Sequence, residues 1–345
     1  MTPTGRCHRT IPAAAVLCLG LVVCARGQSR PEPKLRLDGL FAKKHVTIAV
    51  TDSGLGGLSV LAEAAQRLAG AGIFEKVDLV FVNALFSNEG GYNALRTREE
   101  KARIFNSALE SIAREYHPDL ILIACNTLST IYGQTAFSRS TEVPVVDIIE
   151  AGVGLMAKAL GDNPGSVVLL FGTPTTVNEG THARRLAERG FPSSRIMAET
   201  CPDLETYIEK DPGGDETAML IAAYAAEAMG RIKDTAAPFA VSLNCTHYGY
   251  SLPLWEDAFD KLGRKPFAIL NPNSAMLDFL FARERMGRYP KTAVDVHIVS
   301  MVKIADDRKK SIAGCLEKVS PLTASALTKY ELRPGLFEWE RFIRR

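Results

Sequence analysis

Apolar runs alternate with amphipathic helical stretches along most of this chain. That alternation limits the folds open to it more than any other feature. The runs occupy 45–50, 79–82, 120–124, 143–149, 166–171, 239–243 and 267–270. Between them, 58–68, 97–116, 151–160, 178–189 and 217–232 carry helical spacing. Strands that are apolar on both faces need cover on both faces, and crossover helices between parallel strands supply it. The expectation is an α/β fold, and 345 residues leave room for about two domains. One more strand candidate follows at 294–299, then a basic stretch and an amphipathic tail to Arg345.

In open parallel sheets ligands bind beyond the carboxyl ends of the strands. Those ends read Thr51-Asp52-Ser53-Gly54-Leu55-Gly56-Gly57, Cys125-Asn126-Thr127, Gly172-Thr173-Pro174-Thr175-Thr176 and Cys245-Thr246-His247. Small polar residues and two thiols therefore gather on one rim. The glycine turn suits close approach of a ligand to backbone, or simply a tight strand–helix turn capped by Ser53. It lacks the Gly-Lys-Ser/Thr of a phosphate loop, and no acid ends the next strand as a dinucleotide site requires. Gly172–Thr176 could hold a carboxylate, or cap a helix starting near Val177. His182 on that helix reads as a surface or packing residue.

A lone strand-end cysteine is usually a small buried hydrophobe. Two of them, each followed by polar residues and each placed where a helix begins, suggest a working pair. Zinc held by Cys125, Cys245 and His247 is an alternative, but the short ligand spacings of zinc sites are missing. A cysteine-protease arrangement leaves the second thiol unexplained.

The N-terminus has the three parts of an export signal: basic Arg6, His8 and Arg9, an apolar run over 11–24, and, at Ala25-Arg26-Gly27, small residues around a variable one. The run is shorter than the roughly 20 residues that span a bilayer. A lipid-anchored Cys24 is the alternative, with Val23 bulky where a lipoprotein box has a small residue. Cleavage would leave a polar lead over 28–44 without a core of its own, and Cys125, Cys201, Cys245 and Cys315. The expected location is outside the cytoplasm, in a periplasm, with no membrane attachment in the mature form. With 41 Lys+Arg against 39 Asp+Glu, the net charge of +2 provides no field for nucleic acid.

Asp52-Ser53-Gly54-x-Gly56-Gly57-Leu58-Ser59-Val60, Ala124-Cys125-Asn126-Thr127, Gly172-Thr173-x-x-Thr176, Cys201-Pro202 and Cys245-Thr246-His247-Tyr248 together resemble the glutamate racemases. These belong to the cofactor-independent aspartate/glutamate racemase superfamily. Order and spacing agree from about Val46 to Ala275. The resemblance implies two similar parallel-sheet α/β domains facing each other across an active-site cleft. It divides the chain into 45–149 plus 249–345 for the first domain and 150–248 for the second. It implies Cys125 and Cys245 as catalytic bases, with Asp52, His247 and Glu209 assisting. Substrate contacts are expected from Asp52, Ser53, Asn126, Thr127, Thr176 and Thr246. No cofactor or metal is expected; the partner is a small amino acid, and a homodimer is one assembly open to the chain. The family role is supply of a D-amino acid to the cell wall.

Two departures bear on the substrate. The family's Asp-Thr-Ala-Arg run is replaced by Asn83-Ala84-Leu85-Phe86, and its Pro-Tyr-Gly loop by a longer segment through Ser87, Glu89 and Tyr92. Glutamate is expected first and aspartate second if Glu89 points away from the pocket; a neutral or basic side chain if it points in. An exported amino-acid-binding protein without turnover is the alternative of another class, although binding alone needs neither thiol.

Overall fold

The structure, a computed structural model, describes residues 37–343; the expected signal over 1–27 and most of the polar lead lie outside the described residues. Among the described residues ten strands make two sheets: β1 (His45–Asp52), β2 (Lys76–Asn83), β3 (Leu120–Ile123), β4 (Val145–Asp147), β5 (Val167–Gly172), β6 (Ile196–Thr200), β7 (Phe239–Asn244), β8 (Ala268–Leu270), β9 (Ala293–Ser300) and β10 (Glu331–Leu332). The first sheet runs β10-β9-β2-β1-β3-β4 and the second β6-β5-β7-β8, with every pairing parallel. The α/β class expected from the alternation is what forms.

The strand period of two explains the layers. Ile48 and Val50 face one core with Leu58, Leu61 and Phe74, while Ala49 between them faces another with Ile104, Phe105 and Ile112. The second sheet is covered in the same way, by Phe171, Trp255 and Phe259 on one face and by Val153, Met156 and Leu186 on the other. Helix Arg98–Tyr116 starts with a capping box: the Glu100 N–H donates to Thr97 Oγ1, and the Thr97 N–H donates to Glu100 Oε2, each at 3.1 Å.

Several boundaries differ from expectation. The domain division at 248/249 assigns 267–270 to the first domain, yet β8 pairs with β7 in the second sheet, so the chain rejoins the first core only after β8, through Met276, Leu277 and Leu280. The adjoining strand backbone needs its hydrogen bonds, and β7 offers them. The single helix expected over 178–189 is two helices, Pro174–Glu179 and Thr181–Glu188, because Gly180 at φ 61° ends the first in the left-handed region. The first of these starts at Pro174, not near Val177, with Thr173 as its cap. β6 lacks a fully apolar pattern, being an edge strand covered only in part. The lead is not wholly free of core: Leu40 in helix Asp38–Ala42 is buried, and Phe41 stacks on Phe74 with centroids 5.9 Å apart.

The segment beyond Ala275 is part of the fold. β9 pairs with β2 over eight residues. Trp339 near the end packs on Phe86 at 5.2 Å; Phe86 meets Tyr92 at 5.1 Å, and Tyr92 meets Phe105 at 6.4 Å. The C-terminal tail thus braces the loop after β2 against helix Arg98–Tyr116. Among the described residues no helix is long and apolar enough to cross a membrane. Trp339→Ala, at a half-buried site, is expected to lower unfolding free energy by about 1.5–2.5 kcal/mol, half the usual cost of emptying a core aromatic site; urea titration of both proteins checks it.

Candidate active site

The carboxyl ends of β1, β3, β5 and β7 converge on one cavity of about 420 Å³. Asp52 and Ser53 enter from β1, Cys125, Asn126 and Thr127 from the turn after β3, and Cys245, Thr246 and His247 from the turn after β7. Each thiol therefore comes from a different sheet. Of the ten residues expected at the site, nine line this cavity, Glu209 included; Thr176 is behind it. Its Oγ1 is 3.1 Å from Thr173 Oγ1 and 3.3 Å from Thr127 Oγ1, and Thr173 faces the cavity instead. The hydroxyls of Thr127 and Thr173, 2.8 Å apart, join the two sheets.

Cys125 caps helix Asn126–Tyr132. Its Sγ accepts the Leu128 N–H at 3.5 Å and is 3.2 Å from Ser53 Oγ. Cys245 Sγ is 3.6 Å from His247 Nδ1. The other imidazole nitrogen, Nε2, is 2.8 Å from Glu209 Oε1, which also accepts the Leu55 N–H at 2.8 Å. Arg308 donates to the second Glu209 oxygen at 3.3 Å. A chain of contacts thus leads from one thiol through imidazole and carboxylate to guanidinium.

Glycine makes this contact between the sheets feasible. A Cβ on Gly56 would stand 2.6 Å from His247 Nδ1 and 2.7 Å from the His247 backbone nitrogen. Backbone cannot swing aside, so only glycine lets the turn after β1 press against the turn after β7.

Burial dominates the electrostatics. It pushes the Cys125 thiol up to about 12, with the Asp52 charge adding to the shift, and raises Cys245 well above the ordinary thiol value. Asp52 accepts a hydrogen bond from Thr246 Oγ1 at 2.8 Å, yet burial still raises its carboxyl from 3.8 to about 6. For His247 burial opposes the charged form, but the hydrogen bond and charge of Glu209 outweigh it and the value rises. Glu209 shows the converse: burial would raise it, while His247, the Leu55 N–H and Arg308 bring it below the usual carboxylate range. Asp52 Oδ1 and Asn126 Nδ2 are buried without a hydrogen-bond partner among the described residues. One is an acceptor and the other a donor, which suits an ammonium and a carboxylate on one ligand.

Of the two roles expected for His182, surface or packing, the structure shows packing, with one polar contact added. The residue is buried, its Nε2 is 3.2 Å from Asn126 Oδ1, and burial lowers its value to about 4, so it is neutral at physiological pH. Donation from Nε2–H holds the Asn126 oxygen and leaves the amide nitrogen free for a ligand. Sequence reasoning also missed Asn93, Glu205 and Arg308, all at the cavity. Arg308 is 99 residues from Glu209 and carried no local signal. Asn83 is not at the cavity: its side chain donates to Ser300 Oγ at 3.2 Å and accepts the Leu85 N–H at 3.0 Å, tying down the loop. Glu89 is exposed and does not line the cavity. The four described cysteines are free thiols, and no cluster of three or more metal-ligating side chains occurs among the described residues.

A family model, Asp/Glu/Hydantoin racemase, matches residues 57–275. The chain belongs to that family. It is an isomerase, an amino-acid racemase of the cofactor-independent class. The glutamate racemase of Aquifex pyrophilus is 30% identical over 202 residues, which is 58% of this chain and 70% of the relative. That of Syntrophus aciditrophicus (strain SB) is 31% identical over 216 residues, 61% and 71% of the two chains. The crystal structure of glutamate racemase from Francisella tularensis subsp. tularensis SCHU S4 in complex with D-glutamate shares the fold: TM-score 0.61, 20% identity, 79% of this chain and 94% of that one.

Burial couples the protonation of Asp52 to stability. Its folded value lies above 3.8, so its contribution to stability is full below that pH and is lost as pH rises through about 6. Removing the charge should return at most about 3 kcal/mol near pH 8. Asp52→Asn is therefore expected to be more stable than the parent at pH 8, equal to it near pH 3.5, and inactive at both; denaturant titrations at the two pH values check this. In the parent, kcat/KM should fall as pH drops through about 6, where Asp52 gains its proton.

Proposed function

We propose that this racemase inverts the α-carbon of an amino acid by two-base proton transfer, with Cys125 on one face and Cys245 on the other. The observation carrying this reading is the pair of buried thiols supplied to one cavity by two different sheets. One sulfur, as thiolate, takes the Cα proton, and the bonding pair moves toward the carboxylate. The other sulfur, as thiol, delivers its proton to the opposite face. The product has inverted configuration and the two sulfurs have exchanged roles, so atoms and charge balance. The pair then titrates as a coupled system.

The barrier is the charge developing on the carboxylate oxygens. Donors preorganised in a dry site stabilise it without having to reorient. Asn126 Nδ2, oriented through His182, and the Thr127 and Thr173 hydroxyl pair provide such donors. Asp52 Oδ1 is the acceptor for the substrate ammonium. In the empty cavity burial keeps both sulfurs protonated. The arriving ammonium, and a protonated His247 near Cys245, favour the thiolate by charge. The relatives are glutamate racemases by name, so glutamate is the reference substrate for the assay. Export, suggested by the pattern over 6–27, would place this chemistry outside the cytoplasm, where the thiols must stay unpaired to act.

Cys125→Ala and Cys245→Ala are each expected to fold and to lose racemisation by about 10²–10⁴-fold or more. Each should still exchange the Cα hydrogen of one enantiomer with solvent deuterium, the two variants preferring opposite enantiomers. Proton NMR in D2O with each pure enantiomer reads this directly. Two-way turnover by either variant would rule out the two-base scheme.

A further inference from the structure

The cavity has a carboxylate that neither the thiols nor the ammonium site uses. Glu205, in helix Leu204–Lys210, lines it beside Asn93 from the loop after β2. Asn93 Nδ2 donates to Glu205 Oε1 at 3.3 Å. The other oxygen, Oε2, is shielded from solvent and has no hydrogen-bond partner among the described residues, and the same holds for Asn93 Oδ1. The Asn93 amide cannot be turned around, because its oxygen would then face the carboxylate. This end of the cavity therefore presents two unused acceptors. Burial raises the Glu205 carboxyl above its ordinary value, outweighing the opposing pull of the His247 charge.

The charges around the cavity lead to the same reading. Its carboxylates are Asp52, Asp203, Glu205 and Glu209, and its basic side chains are His247 and Arg308. Glu209 is matched by His247 and Arg308 in direct contact. Asp203 is exposed, and Asp52 is assigned to the ammonium. Glu205 has no cation in direct contact, and both basic side chains of the lining are already engaged with Glu209.

We infer that Glu205 sets side-chain specificity and that the amino acid turned over carries a cationic side chain, of the lysine, ornithine or arginine type, not a carboxylate. This rests on the cavity being the racemase site. The ammonium or guanidinium group would donate to Glu205 Oε2 and Asn93 Oδ1, filling both unused acceptors. A glutamate side chain would instead bring like charge against Glu205 and leave both unfilled. The sequence had assigned this choice to Glu89, which is exposed; the acid that faces the cavity is four residues after Cys201.

The test uses the full chain with enantiopure lysine, ornithine, arginine, glutamine, glutamate and aspartate. Racemisation is followed by polarimetry, Cα exchange by NMR in D2O, and affinity separately by calorimetry. Parent and Glu205→Gln are compared, with circular dichroism to confirm that the variant folds. The expected result is a cationic substrate favoured over glutamate by about 10–100-fold in kcat/KM, the value of one charged hydrogen bond. In Glu205→Gln that preference should collapse, mainly through KM. A parent that prefers glutamate, aspartate or glutamine overturns the inference, as does a cationic preference unchanged in the variant. If no amino acid exchanges its Cα hydrogen, the racemase reading fails by itself. Calorimetry then decides the side-chain reading: tighter binding of the cationic amino acids upholds it, and tighter binding of glutamate, or no binding at all, overturns it.

Discussion

Glu209 is buried between the two sheets, and the site depends on how its two oxygens are satisfied. One accepts the Leu55 N–H from the glycine turn and contacts His247; the other meets Arg308. A buried carboxylate without partners would be costly, and removing one partner of such a set leaves a charge uncompensated. The turn after β1, the turn after β7 and the C-terminal helix Asp306–Glu317 are thereby held in one arrangement. Gly56 lets the first two approach closely enough for this to occur. His247 is oriented as a consequence, and with it the group nearest Cys245.

The same dryness that makes the site useful makes it expensive. Two thiols, Asp52 and His182 are all shifted by burial toward their neutral forms. A water-filled site would relax these shifts but would also solvate the carboxylate whose developing charge the donors must stabilise. Unfilled polar atoms on Asp52, Asn126, Asn93 and Glu205 add to the cost in the empty state. Buried polar groups are normally satisfied, so their concentration around one cavity points to a ligand that completes them. Two of the four suit the groups common to all amino acids, and the other two would read the side chain.

The segment after Ala275 contributes to the site as well as to the sheet. Arg308 comes from it, and Trp339 braces Phe86 and Tyr92 in the loop that walls the cavity. Loop position here is maintained by aromatic packing from the chain's own C-terminus and by Asn83 hydrogen bonds at the loop's base. A longer loop than the family pattern therefore comes with structure that holds it.

Much of this was legible along the chain. Alternating apolar runs implied parallel sheets, because strands buried on both faces leave little choice of cover. Cys125 and Cys245 stood out through their place at strand ends, and nine of the ten expected site residues reach the cavity. β6 and β8 were harder: one is an edge strand with a mixed pattern, and the other joins its sheet through a partner that local periodicity does not reveal. His182 looked peripheral because its helix is amphipathic, yet its ring turns inward to Asn126. Sequence by itself determined the fold class, the two thiols and the polar rim, since each follows from local pattern and motif. Only the tertiary structure decided which acid lines the cavity, Glu205 and not Glu89, and which cation holds Glu209, because burial and pairing arise between segments far apart in the chain.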